Sequence, residues 1–227
     1  MISESCNQPI GLLLSGGLDS GILLGHLLQQ GHRVRPFYVR SGLVWERAEM
    51  AALRRLLRAC ACERLDELVV LELPLDDLYG GHWSITGRGT PAAESPDSAV
   101  YLPGRNALLI VKAAIWCRLH GIEQLALAVL ASNPFADATD EFFAGFESVL
   151  NRAVDGRLRI VRPFARLDKR QVMQLGVGQP LELTFSCISP IDEAHCGRCN
   201  KCAERQAAFD LIGQPDPTEY GRMQNVE

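Results

Sequence analysis

At 227 residues, 47% of them hydrophobic and 22% charged, the chain has the composition of one well-filled globular domain, or of one domain with a small appendage, which excludes disorder, collagen and coiled coil. A formal charge of −4 gives no general attraction to a nucleic-acid backbone, so no nucleic-acid partner is expected. No run of about 18 apolar residues occurs, and the opening Met1-Ile2-Ser3-Glu4-Ser5-Cys6 lacks the basic-then-apolar layout of a secretion signal; the expectation is a cytoplasmic chain with no membrane span.

Apolar, β-branched runs recur along the chain, each followed by helical spacing. Residues 10–14 predict a buried strand, and 19–30 a helix that places Ile22, Leu23, His26 and Leu27 on one stripe before Gly31 stops it. A strand at 34–39, a helix at 46–60 with Leu53, Leu56 and Leu57 inward, and a strand at 68–73 follow. Residues 76–104 form a long irregular stretch rich in Gly, Pro, Ser and Asp, a length typical of binding lids or mobile segments. Then come a helix at 106–120, a strand at 125–130, a helix at 139–154 and a strand at 158–161. Strands alternating with helices predict an α/β fold, a doubly wound parallel sheet covered on both faces. The alternation stops near Pro180, so residues 1–179 are expected to form the α/β domain and 180–227 a small appended module.

Leu14-Ser15-Gly16-Gly17-Leu18-Asp19-Ser20-Gly21 lies between the first strand and the first helix. Two glycines there let successive amides point into one concavity, and the helix start adds partial positive charge, which suits an anionic group. Ser15 and Ser20 offer hydroxyls to phosphate oxygens; Asp19 can hold the loop or approach a phosphate-bound Mg²⁺. The competing reading is a plain Gly-Gly turn with serine capping. Neither Gly-x-x-x-x-Gly-Lys nor Gly-x-Gly-x-x-Gly is present.

Near the other end, Cys187, Cys196, Cys199 and Cys202 crowd into sixteen residues, the last three separated by two residues each. Such spacing lets thiolates converge on one cation, and four of them satisfy tetrahedral Zn²⁺ without an open position, a structural site. An iron–sulfur cluster and a set of unpaired structural cysteines are the alternatives. His195 reads as incidental to the cluster. Cys6 falls too early to be an ordered nucleophile, Cys60 and Cys62 point to different faces, and Cys117 belongs to an apolar helix.

Ser15-Gly16-Gly17-Leu18-Asp19-Ser20 resembles the Ser-Gly-Gly-x-Asp-Ser signature of the PP-loop ATP pyrophosphatases. Together with Cys-x8-Cys-x2-Cys-x2-Cys it resembles the QueC family, the 7-cyano-7-deazaguanine synthases of queuosine biosynthesis. Tyr101-Leu102-Pro103-Gly104-Arg105-Asn106 is similar to that family's Val-Pro-Gly-Arg-Asn segment and Leu167-Asp168-Lys169 to its Leu-Ser-Lys. Residues 181–187 are similar to its entry to the zinc tail, and 202–209 to the helix beyond. The resemblance implies an adenine nucleotide α-hydrolase-like fold and an ATP-dependent ligase that joins ammonia to 7-carboxy-7-deazaguanine through an activated carboxylate and an amide, as a homodimer. It implies nucleotide binding by residues 14–21, catalytic roles for Ser15, Asp19, Ser20 and Lys169, and zinc on the four cysteines.

From the residues themselves, Arg105 offers a planar fork for carboxylate or phosphate and Asn106 an amide for a purine-like edge; helix capping by the pair is the alternative. Lys169 alone reads equally as a solvated helix-start residue. Two segments depart from the family pattern. Residues 38–46 replace a Gly-Gln-Arg-His-like run, and residues 135–140 replace the acceptor segment, in which only Asp137 survives at the matching place. The departures fall where an acceptor would be touched. They leave open a QueC-like paralogue with another deazapurine acid or amine, or a noncatalytic nucleotide-binding protein.

Overall fold

The computed structural model describes residues 8–221. In chain order it runs β1 (Ile10–Leu13), α1 (Leu18–Gln29), β2 (Val34–Arg40), α2 (Glu46–Ala59), β3 (Val69–Glu72), the single turns α3 (Asp76–Tyr79) and α4 (Trp83–Thr86), α5 (Arg105–Leu119), β4 (Gln124–Ala126), α6 (Asp140–Ala153), β5 (Arg159–Val161), α7 (Lys169–Leu175) and α8 (Asn200–Leu211). All strand pairs are parallel, in the order β3-β2-β1-β4-β5. The order reverses beside β1, which opens a crevice at the carboxyl ends of β1 and its neighbours, the usual ligand position in such sheets.

A parallel sheet covered on both faces is built from unbroken apolar strands, and Ile10 and Leu12 are accordingly buried. Pro36, which has no N–H, lies in β2 before pairing with β3 begins at Phe37, so no bond to β3 is lost. On one face Ile22, Leu23 and Leu27 of α1 pack with Leu53 of α2, Val172 and Met173 of α7, and Phe209 of α8. On the other, Phe37 meets Ile110, Ala113 and Cys117 of α5 and Phe143 and Leu150 of α6. A third cluster joins Leu43, Trp45, Val100 and Leu102 to Phe185 and the four tail cysteines.

The expected strands and long helices are present, with two differences. The strand expected at 125–130 ends at Ala126: Leu127 adds one bond to the Val161 carbonyl (3.0 Å), and the chain then leaves the sheet. An apolar run that stays buried as a cavity wall has the same composition as one that stays in the sheet. The stretch 76–104 is not featureless; it holds α3, α4 and a 3₁₀ turn at Asp97–Val100. No helix among the described residues is long and apolar enough to cross a membrane. Cys6 lies outside the described residues.

Candidate functional site

A cavity of about 340 Å³ opens above the phosphate-loop sequence. Gly16 is held at φ +86°, and a Cβ there would lie 3.2 Å from the Leu53 side chain, so both backbone and space demand glycine. The Ser15 and Ser20 hydroxyls lie 3.2 Å apart, the Gly17 amide donates to Ser15 Oγ (3.3 Å) and Ser20 Oγ donates to the Gly17 carbonyl (3.3 Å). Gly17 is the N-cap of α1 and no side chain caps the helix. Serine capping is therefore not what the loop does. The first-turn amides, which have no partner within the helix, stand over the cavity with the helix's partial positive charge. The cradle suits a phosphate group. From the tail, the Phe185 amide donates to the Gly16 carbonyl (2.7 Å) and fixes the loop from behind.

Asp19 is not alone on the cavity wall. Lys169 Nζ donates to Asp19 Oδ1 (2.8 Å) and lies 3.8 Å from Glu204, which in turn pairs with Lys201 (2.5 Å). Lys169 is half-buried at the first position of α7, which Asp168 and Gln171 start with a reciprocal capping box; the solvated reading of this lysine does not hold. Lys201 and Glu204, contributed by α8, line the cavity and were not legible as site residues.

Across the cavity Arg105 and Asn106 line the wall. Asn106 does not cap α5: the N-cap is Gly104, and the Asn106 backbone N–H and side-chain Nδ2 donate to Asp137 Oδ2 (3.0 Å) and to the Asp137 carbonyl (2.9 Å). Asp137 is buried and is not among the residues lining the cavity; its contact to the site runs through Asn106. Arg105 Nε is buried with no protein partner. Glu49 of α2 is a further lining residue, 9% exposed, whose Oε2 accepts from the Tyr38 hydroxyl at 2.6 Å. Burial raises the Glu49 carboxyl to about 7, although Tyr38 and Arg105 favour its charged form; Glu46 adds to the rise. Burial, with Glu49 beside it, pushes the Tyr38 phenol up as well. Glu49 stands one turn before Leu53 and two before Leu56, so a carboxylate on the inward stripe was its only signal in the sequence.

The four tail cysteines are buried and their sulfurs all lie within 4.8 Å of one another. Cys187 and Cys199 Sγ are 3.8 Å apart and Cys196 and Cys202 Sγ 4.0 Å. Bonds of about 2.3 Å to a tetrahedral ion place sulfurs about 3.8 Å apart, so the residues fit one ion such as Zn²⁺ and leave no room for a polynuclear cluster. Amides of Ser189 and Cys196 donate to Cys187 Sγ (3.3 Å each), as they would to a thiolate ligand. His195, as expected, is not among the residues that could hold the ion, but it has a structural role. Its Nε2 accepts from the Ser186 amide (3.1 Å), and burial, with Arg205 nearby, lowers its pKa to about 4, keeping the ring neutral for that bond. Asn200, the first residue of α8, has no donor at Oδ1 among the described residues but ties down the 76–104 segment: its amide donates to the Pro91 carbonyl (3.0 Å) and its Nδ2 to the Ser95 carbonyl (2.8 Å). His82 caps α4, and His120 donates to the Trp116 carbonyl, both away from the cavity.

The family model described as "Queuosine biosynthesis protein QueC" matches residues 10–213. The 7-cyano-7-deazaguanine synthase of Syntrophobacter fumaroxidans is 33% identical over 93% of this chain and 95% of its own length. That of Methanopyrus kandleri is 34% identical over 92% and 97%. Among solved structures, a 4-thiouridine synthetase in complex with RNA and ATP superposes with a TM-score of 0.50 at 17% identity, over 90% of this chain and 50% of that one, a likeness of fold. On the match along nearly its whole length, the chain belongs to the QueC family of queuosine biosynthesis.

Proposed function

We propose that the chain is an ATP-dependent ligase that converts 7-carboxy-7-deazaguanine and ammonia to 7-cyano-7-deazaguanine. The observation that carries this reading is the juxtaposition of an anion cradle at residues 15–20 with the Arg105–Asn106 wall in one cavity, on a chain whose relatives bear that enzyme's name. A carboxylate is a poor electrophile at neutral pH. Transfer of a phosphorylated group from ATP to its oxygen creates a leaving group, which ammonia displaces to give the amide; a second activation, at the amide oxygen, lets that oxygen depart with loss of both amide protons and leaves the nitrile. Neither step requires a protein nucleophile, so positioning and charge compensation supply the catalysis.

In this reading Ser15, Ser20 and the amides of residues 16–19 hold the phosphates, and Asp19 approaches Mg²⁺ while Lys169, released from Asp19, meets the developing charge. Arg105 holds the acceptor carboxylate and Asn106 its ring edge. Zinc on the four cysteines supplies rigidity alone. Asp137 sits behind Asn106 instead of on the wall, which favours a second reading, in which the acceptor is a related deazapurine acid or the nucleophile another amine.

The test incubates purified protein with ATP, Mg²⁺, ammonia and 7-carboxy-7-deazaguanine and detects the nitrile by mass. ATP-dependent nitrile is the expected result, and Asp19→Ala is expected to abolish it with little change in melting temperature. Nucleotide binding without turnover on any deazapurine acid or amine would leave a noncatalytic protein.

A further inference from the structure

One buried acid on the cavity wall has only half its hydrogen bonds. Glu49 Oε2 is engaged by Tyr38, while no protein group among the described residues donates to Oε1. Phe37, Trp45, Leu127 and Val129 give the same cavity apolar surface beside its polar lining. Asp19 and Glu204 on the same cavity are each paired with a lysine, whereas among the described residues Glu49 takes its hydrogen bond from the Tyr38 hydroxyl. Glu49 is a good partner for one flat, polar-edged ring. Arg105 Nε, buried and without a partner among the described residues, adds a fixed donor to the same cavity. A donor and an acceptor held beside that apolar surface match a heterocycle that offers an N–H on one edge and a lone pair or carboxylate on another.

We propose that Glu49, oriented by Tyr38, is the specificity-determining residue that accepts a hydrogen bond from an exocyclic amino group of a heterocycle bound in this cavity. Two ring systems carry such a group: the adenine of the nucleotide and, if the function proposed above holds, the 2-amino-lactam edge of the acceptor. The acceptor branch rests on that function; the nucleotide branch does not. Tyr38 from β2, Glu46 from α2 itself and Arg105 from α5 are the titratable groups that face Glu49. A carboxylate accepts an N–H more strongly than the neutral acid does, and burial raises the Glu49 carboxyl to about 7, so affinity for the amino-bearing ring should weaken as pH drops below 7.

Calorimetric titration of the full chain compares ATP with the triphosphate of purine riboside, which lacks the 6-amino group, and 7-carboxy-7-deazaguanine with its counterpart lacking the 2-amino group. The wild type is expected to prefer the amino-bearing member of one pair by about 100-fold, as sites built to bond a substrate N–H do. In Glu49→Gln, which keeps shape and the bond to Tyr38 but offers an amide, that preference should shrink to about threefold or less while the other pair is unaffected. The wild-type affinity for the preferred ring should fall as pH drops below 7 and level off at the weaker affinity of the neutral acid, with no such dependence in the variant. A melting curve of the variant at neutral pH verifies its fold, and Tyr38→Phe should give an intermediate loss. If Glu49→Gln keeps both preferences, or the wild type shows neither, the assignment is overturned. A wild type that discriminates the nucleotides through Glu49 but neither binds nor converts the acid supports the assignment and sinks the proposed function; undiminished discrimination in a variant that still makes nitrile does the reverse.

Discussion

Arg205 is the largest fully buried side chain, and its guanidinium is the hub of the tail. It donates to Thr218 Oγ1 (2.5 Å), Thr184 Oγ1 (2.7 Å) and the Leu181 carbonyl (2.8 Å), with Asp216 at 3.9 Å. Nothing in the sequence marked it, since arginine is ordinarily exposed and its aliphatic stem gives no apolar signal. Replacing it by Met should remove three donated bonds and the cation beside Asp216, which keeps its bonds from Thr218 and Tyr220, at a cost of about 3 kcal/mol in urea unfolding; a loss below about 1 kcal/mol would mean the network contributes little. Glu49 allows a pH prediction. Its folded pKa is raised, so the native state holds a proton that the unfolded chain gives up. Stability should therefore decline as pH rises from about 4.5 to about 7, by about 1.4 kcal/mol per unit and about 3 kcal/mol in all. Glu49→Gln should remove this contribution, and an unchanged pH dependence in the variant would contradict a buried neutral carboxyl.

At the scale of elements, the phosphate loop owes its position to the contact between α1 and the 181–185 segment. Gly21, in the first turns of α1, admits the Thr184 methyl: a Cβ there would meet Thr184 Cγ2 at 2.9 Å and Leu56 Cδ2 at 3.4 Å. Thr184 cannot yield freely, because its hydroxyl donates to the Leu181 carbonyl (2.6 Å) and accepts from Arg205. Gly21→Ala gains about 1 kcal/mol of helix propensity, but overpacking costs about 1–3 kcal/mol, so a net loss of stability and of ATP affinity is expected. Thr184→Ser deletes the methyl and keeps the hydroxyl; combined with Gly21→Ala it should restore both, and additive losses in the double variant would exclude the steric cause. The sequence carried the elements whose signals are local. Periodicity located the five strands and α1, α2, α5 and α6, and Thr139 caps α6 at the expected start. Asp168-Lys169-Arg170-Gln171 contains the pattern of a capping box, yet α7 is only seven residues long, too short for its stripe to stand out. The reach of β4 was overread, because Leu127–Val129 is equally apolar as strand or as cavity wall. Loop residues 15–20 and the four cysteines were legible from spacing, whereas Glu49, Lys201 and Glu204 depend on which helix faces come together, which spacing does not encode.

At the scale of the molecule, the cysteine cluster and the cavity are joined by one short covalent path. Phe185, two residues before Cys187, holds the Gly16 carbonyl; Ser186 is fixed by His195, beside Cys196; and Asn200, after Cys199, holds the 76–104 segment at Pro91 and Ser95. None of the four cysteines lines the cavity, so an ion there acts on the loop at residues 15–20 only by fixing these anchors. Folding energy supplied by a structural metal is lost on chelation, and a loss of about 3 kcal/mol corresponds to about 6–12 °C in a chain of this size. About one zinc per chain is expected by metal analysis. Stripping it, or replacing Cys202 by Ser, should lower the melting temperature by that amount, and at a temperature where the stripped protein remains folded, ATP affinity should drop about tenfold because the Phe185 anchor has loosened. Cys62→Ser, at an exposed cysteine outside the cluster, should change neither quantity. Undiminished ATP affinity in metal-free, folded protein would show that the phosphate cradle stands without its support from the tail.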